Sequence, residues 1–107
     1  MKQHIMITRP SHQAEKLVEG IHAAGGKTFL FPTLEIVPTK LSNENQDKIE
    51  LVNHFDMIIF ISPNAVEHGL NHILCITQLS DKVLLATIGQ GSAKALTNYL
   101  GKQPDIV

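Results

Sequence analysis

Two short apolar runs constrain this chain most. Met57-Ile58-Ile59-Phe60-Ile61 is unbroken, and residues 83–88 are broken only by Thr87. Runs of strand length with no polar alternation occur in parallel strands covered on both faces. They are far too short to cross a membrane, which takes about 20 apolar residues. Around them the hydrophobic period is helical. Val66, Leu70, Ile73 and Leu74 follow the first run, and Leu96, Tyr99 and Leu100 follow the second. Strand and helix therefore alternate, which predicts an α/β chain with a mainly parallel sheet and flanking helices.

The first third repeats the pattern. Residues 5–7 read as a strand, and Thr8-Arg9-Pro10-Ser11 as a turn. Ser11 is a candidate N-cap, with Glu15 well placed early in the helix. Ala14, Leu17, Val18, Ile21 and Ala24 form one apolar stripe, and Gly25-Gly26 ends it. Residues 28–31 read as a second strand, closed by Pro32. The stretch from Pro32 to Pro38 is extended in character and is the best linker. Ser42 then caps a polar helix over about 43–53, whose apolar contacts are Ile49 and Val52. Ser62-Pro63-Asn64 and Gly89-Gln90-Gly91-Ser92 each lead from a strand into a helix. Gly101 stops the last helix, and Pro104-Asp105-Ile106-Val107 reads as the start of one more strand.

Composition excludes several function classes. The 107 residues carry a formal charge of −1, and Arg9 is the one arginine. With no basic patch to hold a phosphate backbone, a nucleic-acid partner is not expected. Neither is a membrane partner. A single cysteine excludes an internal disulfide and a Cys-rich zinc site, and its apolar neighbours predict that Cys75 is buried and inert. The start shows no signal or transit pattern, so the expected location is cytoplasmic. No fixed-period repeat or low-complexity segment is present.

In open α/β sheets, ligands bind beyond the carboxyl ends of the strands, where helix N-termini also point. Arg9, Pro10 and Ser11 lie at such an end, as do Ser62, Pro63 and Asn64, and Gly89, Gly91 and Ser92. Small polar and glycine-rich, these segments offer backbone N–H groups and hydroxyls to an anionic ligand. Each also has a plain structural reading. The serines can serve as helix caps, Arg9 as a solvated charge and the glycines as tight turns. Gly89-Gln90-Gly91 follows a strand as a dinucleotide fingerprint does, but Lys94 stands where the third glycine belongs. His68 and His72 are four apart on one predicted helix face, without a third ligand for zinc. Ser62 lacks the flanking glycines of a nucleophile elbow. The residues alone support an α/β domain that binds a small anion.

The ordered set of motifs goes further. Ile7-Thr8-Arg9-Pro10, His12-Gln13-Ala14 and Gly25-Gly26 resemble the opening of uroporphyrinogen-III synthases. So do Phe31-Pro32-Thr33-Leu34-Glu35-Ile36, Phe60-Ile61-Ser62-Pro63-Asn64-Ala65-Val66, Ile88-Gly89-Gln90-Gly91-Ser92-Ala93-Lys94-Ala95-Leu96 and Gly101-Lys102-Gln103-Pro104-Asp105. The resemblance covers essentially the whole chain. It implies two flavodoxin-like halves joined by a two-stranded linker, with the site between them. Residues 1–32 would open domain one, 33–40 would form the first linker strand, and 41–107 the first half of domain two. One compact domain over 1–107 is the alternative.

The implied activity is cyclisation of the linear tetrapyrrole hydroxymethylbilane, with inversion of its last ring and loss of water, in haem biosynthesis. No metal or organic cofactor is implied. The resemblance places Arg9 and Pro10 on the domain-one side of a cleft. It places Ser62, Pro63, Asn64, Gly89, Gly91 and Ser92 on the other, binding an eight-carboxylate substrate through amides and hydroxyls. The protein then acts mainly by holding the chain curled for closure through a spiro intermediate. Family members are longer, and the tyrosine proposed to assist hydroxyl departure has no match here, since Tyr99 sits elsewhere. The expectation is an N-terminal portion, inactive alone. A non-catalytic binding or assembly module, self-associating or pairing with a separate second half, is the reading from another class.

Overall fold

The computed structural model describes residues 2–107 and divides into two compact units, Met1–Val37 and Pro38–Val107. The division falls inside the proline-bracketed stretch, and residues 34–42 carry no helix or strand. Proline's fixed φ and missing N–H keep such a stretch out of either ladder.

The first unit is strand–helix–strand. β1 (His4–Ile7) pairs in parallel with β2 (Lys27–Leu30), from His4 opposite Lys27 to Ile7 opposite Leu30. α1 (Glu15–Ala23) makes the crossover. Gly25, at φ +88°, lets the chain leave the helix, and Gly26 N–H returns to Ile21 O at 2.9 Å. A side chain at Gly26 would come within 2.8 Å of Ile21 Cγ2, so the close approach itself demands glycine. Ile7 and Ala14 are buried, but α1 buries no residue of its own. The predicted apolar stripe is therefore only partly used, and Leu17 is exposed.

Ser11 does not cap α1. It begins a single 3₁₀ turn, Ser11–Gln13, and Ala14 takes the cap position without a side-chain hydrogen bond. The 3₁₀ turn is closed by Gln13 N–H on Pro10 O at 2.9 Å and Ala14 N–H on Ser11 O at 3.2 Å.

The second unit holds α2 (Asn43–Glu50), β3 (Met57–Phe60), α3 (Pro63–Ile76), β4 (Leu84–Thr87) and α4 (Gly89–Leu100). Ser42 caps α2 as expected, accepting from Asn45 N–H at 3.2 Å. That helix is shorter than predicted, because the chain tightens at Leu51 into a 3₁₀ turn over Val52–His54. Asn53 in this turn pins the loop into β4. Its amide donates to Gln78 O at 2.8 Å, and its carbonyl accepts from Ser80 N–H at 2.7 Å.

β3 and β4 pair in parallel, Met57 opposite Leu84 through Phe60 opposite Thr87. Phe60, Val66, Leu70, Leu85 and Leu96 form the core under α3 and α4. Alternation along each strand sends Phe60 and Leu85 toward the helices. Their neighbours point the other way, leaving Ile59 58% and Ile61 71% exposed. The expectation of burial on both faces is thus corrected for the first run; the second keeps Leu85, Ala86 and Thr87 buried in succession.

The last segment adds a parallel bridge between Ala86 and Ile106. Asp105 secures it. Its carboxylate accepts from Leu85 N–H at 2.8 Å, and its own N–H donates to Leu85 O at 2.8 Å. Cys75 is exposed, contrary to expectation, because α3 turns Ile73 inward and leaves Leu74 and Cys75 outside.

Candidate functional site

β3 and β4 end at the same level, and Ile88 N–H donates to Phe60 O at 3.2 Å just past the last ladder pair. The helices that follow therefore begin side by side. A Cβ built on Gly91 would lie 3.9 Å from Pro63 Cγ, an ordinary contact between the two first turns. Ser62, Pro63, Asn64, Gly89, Gly91 and Ser92 are thus gathered at one end of the β3–β4 sheet.

The two helix starts differ. At α3, Ser62 Oγ accepts from Ala65 N–H at 3.0 Å, and Pro63 occupies the first turn, where a missing N–H costs nothing. The capping reading of Ser62 is therefore correct, and its hydroxyl proton remains to donate elsewhere. Ser62→Ala is expected to lower the unfolding free energy by about 1 kcal/mol, the usual worth of such a cap, as read from urea denaturation.

At α4 the cap position belongs to Ile88, and no side chain caps the first turn. Gly89 takes φ +81°, a value that L side chains resist, and so turns strand into helix within one residue. The first N–H groups of a helix have no partner inside it. Here Gly89, Gln90 and Gly91 present theirs at an exposed surface, at the positive end of a 12-residue helix. That is an arrangement for accepting an anion.

Ser92 neither caps nor faces solvent. It is buried, 3% exposed, in the first turn of α4. Arg9 and Pro10 lie in the other unit, where β1 ends; Pro10 O accepts from Gln13 N–H at 2.9 Å. His68 and His72 both lie on α3, half-buried.

One buried group escaped the sequence reading. Thr87, 4% exposed at the end of β4, has a buried hydroxyl without a hydrogen-bond partner among the described residues. Its place in an apolar run was the available signal. An unmet hydroxyl in a core is costly, so the isosteric Thr87→Val is expected to raise stability by about 1 kcal/mol. A higher midpoint in chemical denaturation, with an unchanged slope, checks this.

With this geometry in view, the relatives are informative. The family model described as uroporphyrinogen-III synthase HemD matches residues 15–107. The chain belongs to the uroporphyrinogen-III synthase family. A Methanocaldococcus jannaschii protein named for the same synthase activity is 34% identical over 105 residues, which is 96% of this chain and 41% of the relative. The uroporphyrinogen-III synthase of Synechococcus elongatus is 32% identical over 101 residues, 92% of this chain and 38% of that protein. That of Chlorobaculum parvum is 37% identical over 70 residues. The chain therefore spans at most about two-fifths of the length of these relatives. Its parallel α/β pairs are the fold class that the motifs of the family implied.

Proposed function

We propose that this chain supplies the substrate-holding end of a uroporphyrinogen-III synthase that closes hydroxymethylbilane to the type III macrocycle. The observation that carries the reading is the uncapped, exposed first turn of α4 beside the Ser62-capped start of α3. Family membership supplies the substrate class, and the free amides fit its carboxylates.

In this reading Gly89, Gln90 and Gly91 bind a carboxylate arm through backbone N–H groups. Ser62 donates its hydroxyl proton to a second arm, with Pro63 and Asn64 beside it. Ser92 supports the turn from within. Arg9 and Pro10 serve the part of the site built on residues 1–32, the opening of domain one. Residues 33–40 are the linker, here without strand structure, and 41–107 the first half of domain two. Catalysis by such a site is mainly orientation: a flexible tetrapyrrole is held curled so that closure at the inverted ring outruns unassisted closure. Water loss needs a proton on the departing hydroxyl, and residues of the longer family fold complete that step. The 107 residues alone therefore bind the substrate without forming type III product.

The test is a titration with freshly made hydroxymethylbilane, followed by amide NMR shifts, with the products oxidised and separated by isomer. Movement at residues 89–92 with only type I product at the uncatalysed rate is expected. Silent amides at 89–92 overturn the binding assignment. Type III product from this chain overturns the claim that it is incomplete as a catalyst.

A further inference from the structure

We propose that His68 and His72 on α3 form a surface site for one divalent transition-metal ion of the nickel or copper type. The inference stands apart from the synthase reading and uses none of the residues assigned there. No other two of the six histidines are spaced by four. Both fall inside α3, Pro63–Ile76, which runs unbroken for 14 residues. Side chains four apart on a helix are neighbours, with Cβ atoms about 5–6 Å apart. Two imidazoles so placed can reach cis positions on the same ion.

The helix holds the pair outward and steady. Val66, Leu70 and Ile73 are the buried residues of α3, and Leu70 is wholly buried. His68 and His72 each stand two residues from Leu70, about 200° round the helix from it. The core therefore fixes the scaffold without covering the ligands, and both rings are only half-buried. A site on a packed helix is more precise than one on a loop. Neither ring makes a hydrogen bond or ion pair among the described residues. His22 makes the contrast, since its Nε2 lies 3.0 Å from Thr28 Oγ1.

The ligand set selects the ion. Among the described residues no group of three His, Cys, Asp or Glu side chains is placed to hold a metal. The site therefore offers two nitrogens, and water completes the shell. Closed tetrahedral zinc sites take four protein ligands, which this helix does not supply. Nickel and copper accept tetragonal nitrogen and oxygen sets, and their affinities stand high in the divalent series, far above manganese. An ion caught by one ring meets the second at high effective concentration, an advantage that a lone histidine lacks.

The experiment titrates Ni²⁺ into the untagged 107-residue chain and follows paramagnetic broadening of the amide signals. Saturable broadening centred on His68 and His72 is expected, with a dissociation constant of about 100 μM or below. His68→Ala and His72→Ala should each weaken binding at least tenfold. Both side chains lie outside the core, so each variant should keep the parent's amide pattern without metal. His54→Ala and Cys75→Ser should bind within about twofold of the parent. Mn²⁺, which prefers carboxylates, should bind at least tenfold more weakly. Saturating Ni²⁺ should also raise the urea midpoint of the parent and not that of His72→Ala, since an ion held only by the folded helix stabilises it. The proposal is overturned by absent or unsaturable broadening, by broadening centred elsewhere, or by unchanged affinity in either histidine variant. Loss of binding in Cys75→Ser or equal binding of Mn²⁺ overturns the two-imidazole assignment as well.

Discussion

Leu96→Ala is expected to lower the unfolding free energy by about 2–5 kcal/mol, the usual cost of emptying a fully buried leucine site. Leu96 is wholly buried and belongs to the core formed with Phe60, Val66, Leu70 and Leu85. Its position on α4 gives the change a functional meaning. The same side chain that fills the core also seats the helix whose first turn presents the free amides. Small domains have only about 5–15 kcal/mol in hand, so a loss of this size consumes a large share. Urea denaturation measures it directly, and Leu96→Met, which keeps the volume, should recover most of the loss. A loss under about 1 kcal/mol would show that α4 is not anchored through this residue.

Gly89→Val is expected to damage binding more than stability. At φ +81° a side chain brings a backbone penalty of about 1–2 kcal/mol. No atom lies within 4 Å of a Cβ built there, so the cost is conformational rather than a clash. Relief of that strain requires φ to turn negative, which redirects the N–H groups of Gly89, Gln90 and Gly91. Under the proposed function, the affinity for hydroxymethylbilane should fall at least tenfold. Gly91→Ala is the matched control: its φ is ordinary and its Cβ meets only Pro63 at 3.9 Å. It should bind within about threefold of the parent chain. Equal binding by Gly89→Val and Gly91→Ala would remove the α4 amides from the site.

Much of the architecture was legible along the chain because it rests on local rules. A strand-length apolar run cannot be read as a surface helix. Ser42 and Ser62 precede helical periodicity and act as caps in the structure, since capping is settled within four residues. Ser11 looked the same and is not a cap, because the 3₁₀ turn at 11–13 displaces the start of α1 to Glu15. Ser92 also failed as a cap. The abrupt turn at Gly89 starts α4 earlier than a serine-cap reading allows, and so places Ser92 inside the first turn.

The candidate site was legible as three separate segments and no further. Sequence pattern puts Ser62 and Gly89 each at the end of a strand, but nothing local says that the two strands are neighbours. The parallel register that sets Phe60 opposite Thr87 brings them together. Asp105 illustrates the same limit: its carboxylate answers the N–H of Leu85, twenty residues earlier, and no periodicity announces such a bond.

The amino-acid order thus determined the class of the fold, the sequence of its elements and the small polar turns where a ligand can bind. These follow from hydrophobic period, capping chemistry and the conformational ranges of glycine and proline. Only the tertiary structure decided which turns meet, which serines face inward and which face of each sheet stays open. Those outcomes depend on register and on packing between residues far apart in the chain, where free energy is shared among groups that no local rule connects.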